Sequence, residues 1–312
     1  MKCAFIQRNK LVWPVSIQCY VLLVSASGYH EHLARRLDIT GRRHPSDEAL
    51  LVHISAVYAE NRGAYGWPRI WRELVRRGVR VGKQRVQRLM QKHGIHARGK
   101  RKFRVITTDS KHNLPIAPNV LDRNFTPAAP SQAWAGGFTC IATEEGWLFL
   151  AVVIDLFSRK VIGWPMRPDM HRDLVIDALD MAWFRRNPGK RAGLIFHSGR
   201  GSQYRGPHGQ VFVRGVEYAS EDFGKVLEHC TITPSMSRKG NCWDNACPET
   251  LFGSLKVERL HGERFETIRA AKDAVIAWLL WYNQARMHST LNYLSPAQFE
   301  QAWMDASVKI AA

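Results

Sequence analysis

The stretch from Gly193 to Lys256 constrains the fold more than any other part of the chain. It opens on Leu194-Ile-Phe-His197, a short apolar run whose composition is that of a buried strand. A Gly/Ser-rich polar loop follows, Ser198 to Tyr204, then a helix, a second short strand beginning at Ile232, a basic loop from Ser235 to Asp244, and a helix from Ala246 to Lys256. A strand that crosses through a helix to a parallel neighbour belongs to an α/β chain whose sheet is covered by helices. The last helix carries one acidic side chain, Glu249, and a lone carboxylate on a rigid element facing polar loops suggests metal chemistry.

The residues ahead of this stretch extend the sheet. Phe138–Ala142, Trp147–Ile154 and Lys160–Trp164 are rich in aromatic and β-branched residues and are expected as strands. The turns between them, Glu144-Glu145-Gly146 and Asp155 to Ser158, make consecutive strands antiparallel. Asp173 can cap a helix that runs to Phe184. Behind the stretch, Phe265 to Tyr282 reads as one amphipathic helix through Ile268, Val275, Ile276, Leu279 and Leu280. The sum resembles an RNase H-like mixed sheet flanked by helices.

The first hundred residues have a different grammar. Val15–Val24 can form an apolar helix, Ser25 to Tyr29 is expected to interrupt it, and a second helix should run to Arg36. Ser46 or Asp47 can cap a helix carrying Leu50, Leu51, Ile54 and Val57. Pro68 suits the first turn of the next helix, whose apolar face is read as Ile70, Leu74 and Val75. After a turn at Gly78, a helix from Gly82 to His93 buries Val86, Leu89 and Met90. This is a helix-turn-helix pattern, and Arg69, Lys83, Arg85 and Arg88 are the candidate DNA contacts on it. The expected organisation is therefore a helical DNA-binding region over 1–100, a basic, Pro-rich linker over 101–130, an α/β core over 131–260 and a helical tail over 261–312.

Charge narrows the class of partner. Lys and Arg outnumber Asp and Glu by 45 to 27, giving a formal charge of +18. An excess of that size on a folded chain favours a polyanion, because phosphates attract it without regard to sequence and displaced counterions supply much of the free energy. DNA is the leading candidate. The six cysteines form no Cys-x-x-Cys pair, which fits a reduced, cytoplasmic compartment better than a disulfide framework or a zinc site. The apolar run around Val21 to Val24 is far shorter than the ~20 residues a bilayer requires, so no membrane partner is expected.

Three motifs carry a family resemblance: Trp134-Ala-Gly-Gly137-Phe-Thr139-Cys-Ile141, Phe196-His-Ser-Gly199-Arg-Gly-Ser-Gln-Tyr204, and Ser235-Met-Ser-Arg-Lys-Gly-Asn-Cys-Trp-Asp-Asn-Ala246 running on to Glu249. On these the chain is similar to the retroviral-integrase-like DDE transposases of bacterial insertion sequences, the OrfB-type catalytic subunit. That resemblance implies DNA end cleavage and strand transfer with Mg²⁺ or Mn²⁺ held by two aspartates and a glutamate. It also implies action as a homo-multimer on transposon ends and target DNA, and an upstream helix-turn-helix partner subunit. Glu249 matches the glutamate, whereas Gly137 and Gly199 stand at the two aspartate positions. Two Mg²⁺ ions want several hard oxygen ligands, and one carboxylate should hold them weakly.

By the same resemblance Arg238, Lys239, Asn241, Asn245 and Lys256 are DNA-holding candidates, with Asn245, Glu249 and Lys256 near one helix face. Asp155 is the nearest acidic residue in sequence that could replace a lost ligand, and its alternative role is a turn residue bonding its own backbone. Gly199 and Glu249 have 49 residues between them where the family has about 35, so Arg205 to Tyr218 reads as an insertion, expected to be a mobile loop. Met287 replaces the usual proline in the signature around Tyr282 and Pro296. Two functional readings follow: a transposase impaired in catalysis, or a catalytically silent DNA-binding protein or decayed element copy.

Overall fold

A computed structural model describes residues 2–37, 45–99, 108–109, 116–169, 171, 173–189, 193–199, 203–205, 211–212, 218, 220–239 and 241–311. The chain divides into two compact units, residues 1–97 and 98–312.

The first unit is helical. Helices α1 (Lys2–Asn9), α2 (Val15–Val21) and α3 (Ala26–Leu37) meet at Ile6, Cys19 and Tyr29. The expected interruption at Ser25 to Tyr29 is instead the start of α3, because Ser25 Oγ accepts from Gly28 N at 3.0 Å and caps the new helix. In α4 (Asp47–Glu60) the cap is Ser46, which accepts from Ala49 N at 3.1 Å, while Asp47 lies in the first turn and complements the helix dipole. Helix α5 (Trp67–Arg76) has Pro68 in its first turn and buries Ile70 and Leu74. Val75 is 46% exposed. Five positions from Ile70 is well off the buried stripe, and Glu73 fills that stripe with its carboxylate held by Arg76 and Arg77 at 2.8–3.0 Å. After the turn at Gly78, where φ is +80°, α6 (Lys83–Lys92) buries Val86, Leu89 and Met90.

The second unit is built on a mixed sheet. Strands β2 (Ala133–Thr143), β3 (Gly146–Asp155), β4 (Val161–Gly163) and β5 (Met166–Arg167) are antiparallel neighbours; β6 (Ile195–Ser198) and β9 (Thr233–Met236) add in parallel, giving the order β4-β3-β2-β6-β9 with β5 also on β3. A separate small ladder joins β1 (Thr108–Asp109), β7 (Gln203–Arg205) and β8 (Val211–Phe212). Helices α7 (Asp173–Arg186) and α8 (Glu221–His229) cover one face around Trp134, Phe149, Val153 and Phe196. Helices α9 (Ala246–Leu255) and α10 (Ile268–Gln284) cover the other around Leu148, Leu150, Val152, Trp278 and Leu279. Because β3 is buried on both faces, its sequence is a continuous apolar run. This is the RNase H-like arrangement.

Two expected boundaries differ from the packing. Residues 261–312 do not form a separate tail: α10 supplies one side of the core, and α11 (Pro296–Ala311) is tied on by the buried carboxylate of Glu300, which accepts from Ser158 Oγ and pairs with Lys160 and Arg186. Within the expected linker, Leu121 is buried against Ala133, Ala135 and Leu156, and the amides of Val120 and Leu121 donate to Ser235 Oγ. The apolar spacing of these segments marks them as amphipathic but does not name the surface they cover. Of the expected insertion, the described backbone at 205 and 211–212 belongs to the β7–β8 hairpin and Tyr218 is buried; the rest lies outside the described residues.

Candidate active site and its DNA-holding loop

Alternation along β2 decides which way the first motif faces. Gly136 faces the α7–α8 side, where a Cβ would lie 2.5 Å from Phe196 Cζ. Gly137 therefore faces α9, where a Cβ would lie 2.8 Å from Pro248 Cβ and 3.1 Å from Phe252 Cε2. These two residues flank Glu249 in sequence. Pro248 is tolerated in the first turn of α9, where its missing N–H has no partner to lose. The space into which an aspartate at 137 would project is thus filled by buried helix atoms. Just after β6, Gly199 is open by contrast: among the described residues a Cβ there would meet only Asn245 Nδ2, at 4.0 Å.

Asn245 joins these pieces. Its Nδ2 donates to Gly136 O at 3.1 Å, while its Oδ1 is buried with no partner among the described residues. Glu249 lies one turn further along α9, on the same face as Asn245. Glu249 is solvent-accessible, yet desolvation by the surrounding protein raises its pKa. Among the described residues no group of three His, Cys, Asp or Glu side chains is placed to hold a metal ion. The donor set at 137, 199 and 249 therefore does not fit a pair of hydrated divalent ions.

Asp155 is bound elsewhere. It is fully buried, accepts from the amides of Ser131 at 3.0 Å and Phe157 at 3.1 Å, and lies 3.1 Å from Arg186. The bond to Phe157, two residues on, is the turn interaction. Desolvation outweighs Arg186 and raises its pKa.

The loop between β9 and α9 is organised by Asp244, whose side chain is wholly buried. Its carboxylate accepts from Arg238 N and Nε at 2.9 Å, Arg238 Nη2 at 2.8 Å, Arg123 Nε at 2.8 Å and Asn119 Nδ2 at 3.2 Å. The Arg238 bonds are the largest of the influences that hold its carboxyl below the usual range. Arg238, read from sequence as a DNA contact, pairs with Asp244 and keeps its side chain 48% exposed. Asn241 caps the 3₁₀ turn Cys242–Asn245 by accepting from Trp243 N at 3.2 Å. Lys239 and Lys256 stay exposed. Lys256 begins a π-helical turn, Lys256–Leu260, that swings Glu258 inward to Arg286 Nε at 2.8 Å.

A buried polar chain holds β6 to β9 beneath this loop. Val120 N and Leu121 N donate to Ser235 Oγ, which lies 2.9 Å from His197 Nδ1; His197 Nε2 lies 3.2 Å from Ser237 Oγ, which donates to Ser198 O. Donors and acceptors close only with the His197 proton on Nε2, Ser235 donating to Nδ1. Burial lowers the His197 pKa to about 4.

In the helical unit the sequence-read contacts differ in freedom. Arg85 braces α6 to the start of α4, reaching Asp47 Oδ1 at 2.6 Å and Pro45 O at 2.8 Å. Arg88 is 69% exposed and 3.8 Å from Asp47. Arg69 stacks on Tyr65 at 5.6 Å, and Lys83 is exposed at the start of α6. Sequence reasoning missed Asp244 as the organiser of its loop, and missed Asn283, which satisfies both Val161 N and Val161 O on the edge strand β4 at 2.9 Å. The signal available for both was position: a short polar side chain fixed inside a motif that otherwise reads as DNA-facing or helical.

Comparison with known proteins matches separate stretches of the chain. An HTH-like domain matches residues 45–103, and two integrase core domain models match 127–242 and 230–296. The transposase InsF for insertion sequence IS3A of Escherichia coli (strain K12) is 38% identical over 305 residues, 96% of this chain and 98% of that protein. An insertion element IS600 uncharacterized 31 kDa protein of Shigella sonnei is 38% identical over 286 residues, 91% of this chain and 98% of that one. Among solved structures, the HTLV-2 integrase catalytic core domain in complex with magnesium is 15% identical, with a TM-score of 0.36 over 55% of this chain and 98% of that chain.

Proposed function

Because the chain belongs to the transposase family of bacterial insertion sequences, we propose that it holds transposon-end DNA while being severely impaired in cleaving and joining it. The observation that carries this reading is the pair of glycines. Gly137 and Gly199 leave Glu249 as the one carboxylate of the three, and Pro248 with Phe252 occupies the space beside Gly137. In-line phosphodiester displacement by two metal ions needs both ions fixed about 4 Å apart. A single carboxylate with a raised pKa supplies neither the charge nor the geometry, so Mg²⁺ or Mn²⁺ should bind weakly.

The DNA-holding groups are proposed to be Lys83, Arg88 and Arg69 on the helix-turn-helix, Lys239 on the loop before α9 and Lys256 about two turns along from Glu249. Arg85, Arg238, Asn241 and Asn245 hold these groups in place. The net charge of +18 supports phosphate binding, and a multimer on DNA, with or without an upstream helix-turn-helix subunit, is the family arrangement proposed for it.

Purified protein incubated with labelled terminal-repeat DNA and Mg²⁺ or Mn²⁺ tests both halves. Retarded bands at low salt with no 3′-end cleavage are expected. Joined products would overturn the impairment, and the lack of any retarded band would overturn the DNA-holding role.

A further inference from the structure

Trp243 has no evident structural use for its size. It is 70% exposed, the most exposed tryptophan among the described residues, although a chain gains nothing in stability by leaving an indole in water. Its backbone, in contrast, is among the best fixed in the loop. Trp243 N is capped by Asn241, and the next residue is the wholly buried Asp244 with its donors from Arg238, Arg123 and Asn119. Asn245, which follows, is bonded to β2. A rigid, outward-facing aromatic is therefore presented on the turn that leads directly into α9, with exposed Lys239 on the same loop.

Distance along that path relates Trp243 to Glu249. Six residues separate the two, and at 3₁₀ and α-helical rise per residue the chain advances about 10 Å at most between them. That is about three base steps of a DNA strand. We infer that Trp243 is a stacking platform for an unpaired nucleobase at a DNA end, positioning the strand so that a phosphate lies beside Glu249. The inference rests on the DNA-holding reading above and adds a ligand group and a residue to it. A base offers a π-face whatever its identity, so the contact is expected to favour frayed or single-stranded ends over closed duplex, without sequence preference.

The test uses the full chain and a DNA duplex with a short single-stranded overhang carrying 2-aminopurine. Binding of the unaltered protein should quench the 2-aminopurine fluorescence. Trp243→Ala should lose the quench and bind about tenfold more weakly, with an unchanged salt slope, because no phosphate contact is removed. Trp243→Phe should keep most of both signals, and Trp243→Leu, apolar without a π-face, should behave like the alanine variant. Wild-type affinity and quench in Trp243→Ala, or a leucine variant equal to the phenylalanine one, would overturn the inference. Absence of any binding by the unaltered protein at about 50 mM salt would instead overturn the DNA-holding reading on which it stands.

Discussion

The two approaches to α9 have fared differently. On the loop side, Asp244 and His197 sit in polar networks in which nearly every donor has an acceptor, and the residues that surround them are those of the family motif. On the sheet side, Gly137 and Gly199 carry no side chain, and the space beside Gly137 is closed by Pro248. The contrast teaches that the scaffold and the chemistry are held by different residues. A ligand side chain facing a cleft supports nothing else and can disappear without disturbing the fold, whereas a buried carboxylate with several donors cannot.

The strongest test of that contrast is Asp244→Ala. Removing the acceptor shared by Arg238, Arg123 and Asn119 should cost about 2 kcal/mol, because the arginines left behind are half exposed and can be hydrated, seen in denaturant unfolding, together with loss of DNA binding; a change under about 0.5 kcal/mol would place the loop's order elsewhere.

Acid should attack the same side through His197. Its pKa falls from 6.5 to about 4 on folding, so the neutral form stabilises the fold above pH 6.5 and that stability is lost as pH falls towards 4. At 1.36 kcal/mol per pKa unit the loss approaches about 3 kcal/mol. Unfolding curves of the parent and of His197→Gln across this window should converge at low pH, and parallel curves would break the argument.

On the sheet side the two glycines should separate. Gly137→Asp should destabilise by about 2 kcal/mol through overpacking against Pro248, and Pro248→Gly, which removes the Cβ that lies 2.8 Å away, should relieve part of that cost in a double-mutant cycle. Gly199→Asp, with open space before it, should stay within about 0.5 kcal/mol of the parent in thermal unfolding. Equal costs at the two glycines would erase the distinction between a closed position and an open one. Restoring both aspartates without relieving Pro248 is accordingly expected to leave divalent-metal binding, followed by calorimetry, weaker than the triple variant shows.

Much of this was legible in the residues. Strand composition and helix periods placed β3, β6, α7 and α10 to within three positions, whereas β2 begins five residues before the expected Phe138; the placing of Gly137 and Gly199 near the helix of Glu249 came from the family resemblance. The capping chemistry of Ser25 was misread as a break because a Ser/Gly cluster marks a turn and a helix start alike. The bond from Arg238 to Asp244 was not legible for a related reason: a basic side chain in a polar loop looks the same whether its acceptor is a phosphate or a buried carboxylate from six residues on.

By itself the sequence determined the alternation of apolar residues, and with it the α/β sheet, the helical front unit, the basic charge and the glycines at 137 and 199, all of which are properties of single residues or local periods. Only the tertiary structure decided that Pro248 fills the place beside Gly137, that Asp244 pairs with Arg238, and that α10 completes the core. Those are facts about which distant surfaces meet, and packing at van der Waals contact is set by the whole chain at once.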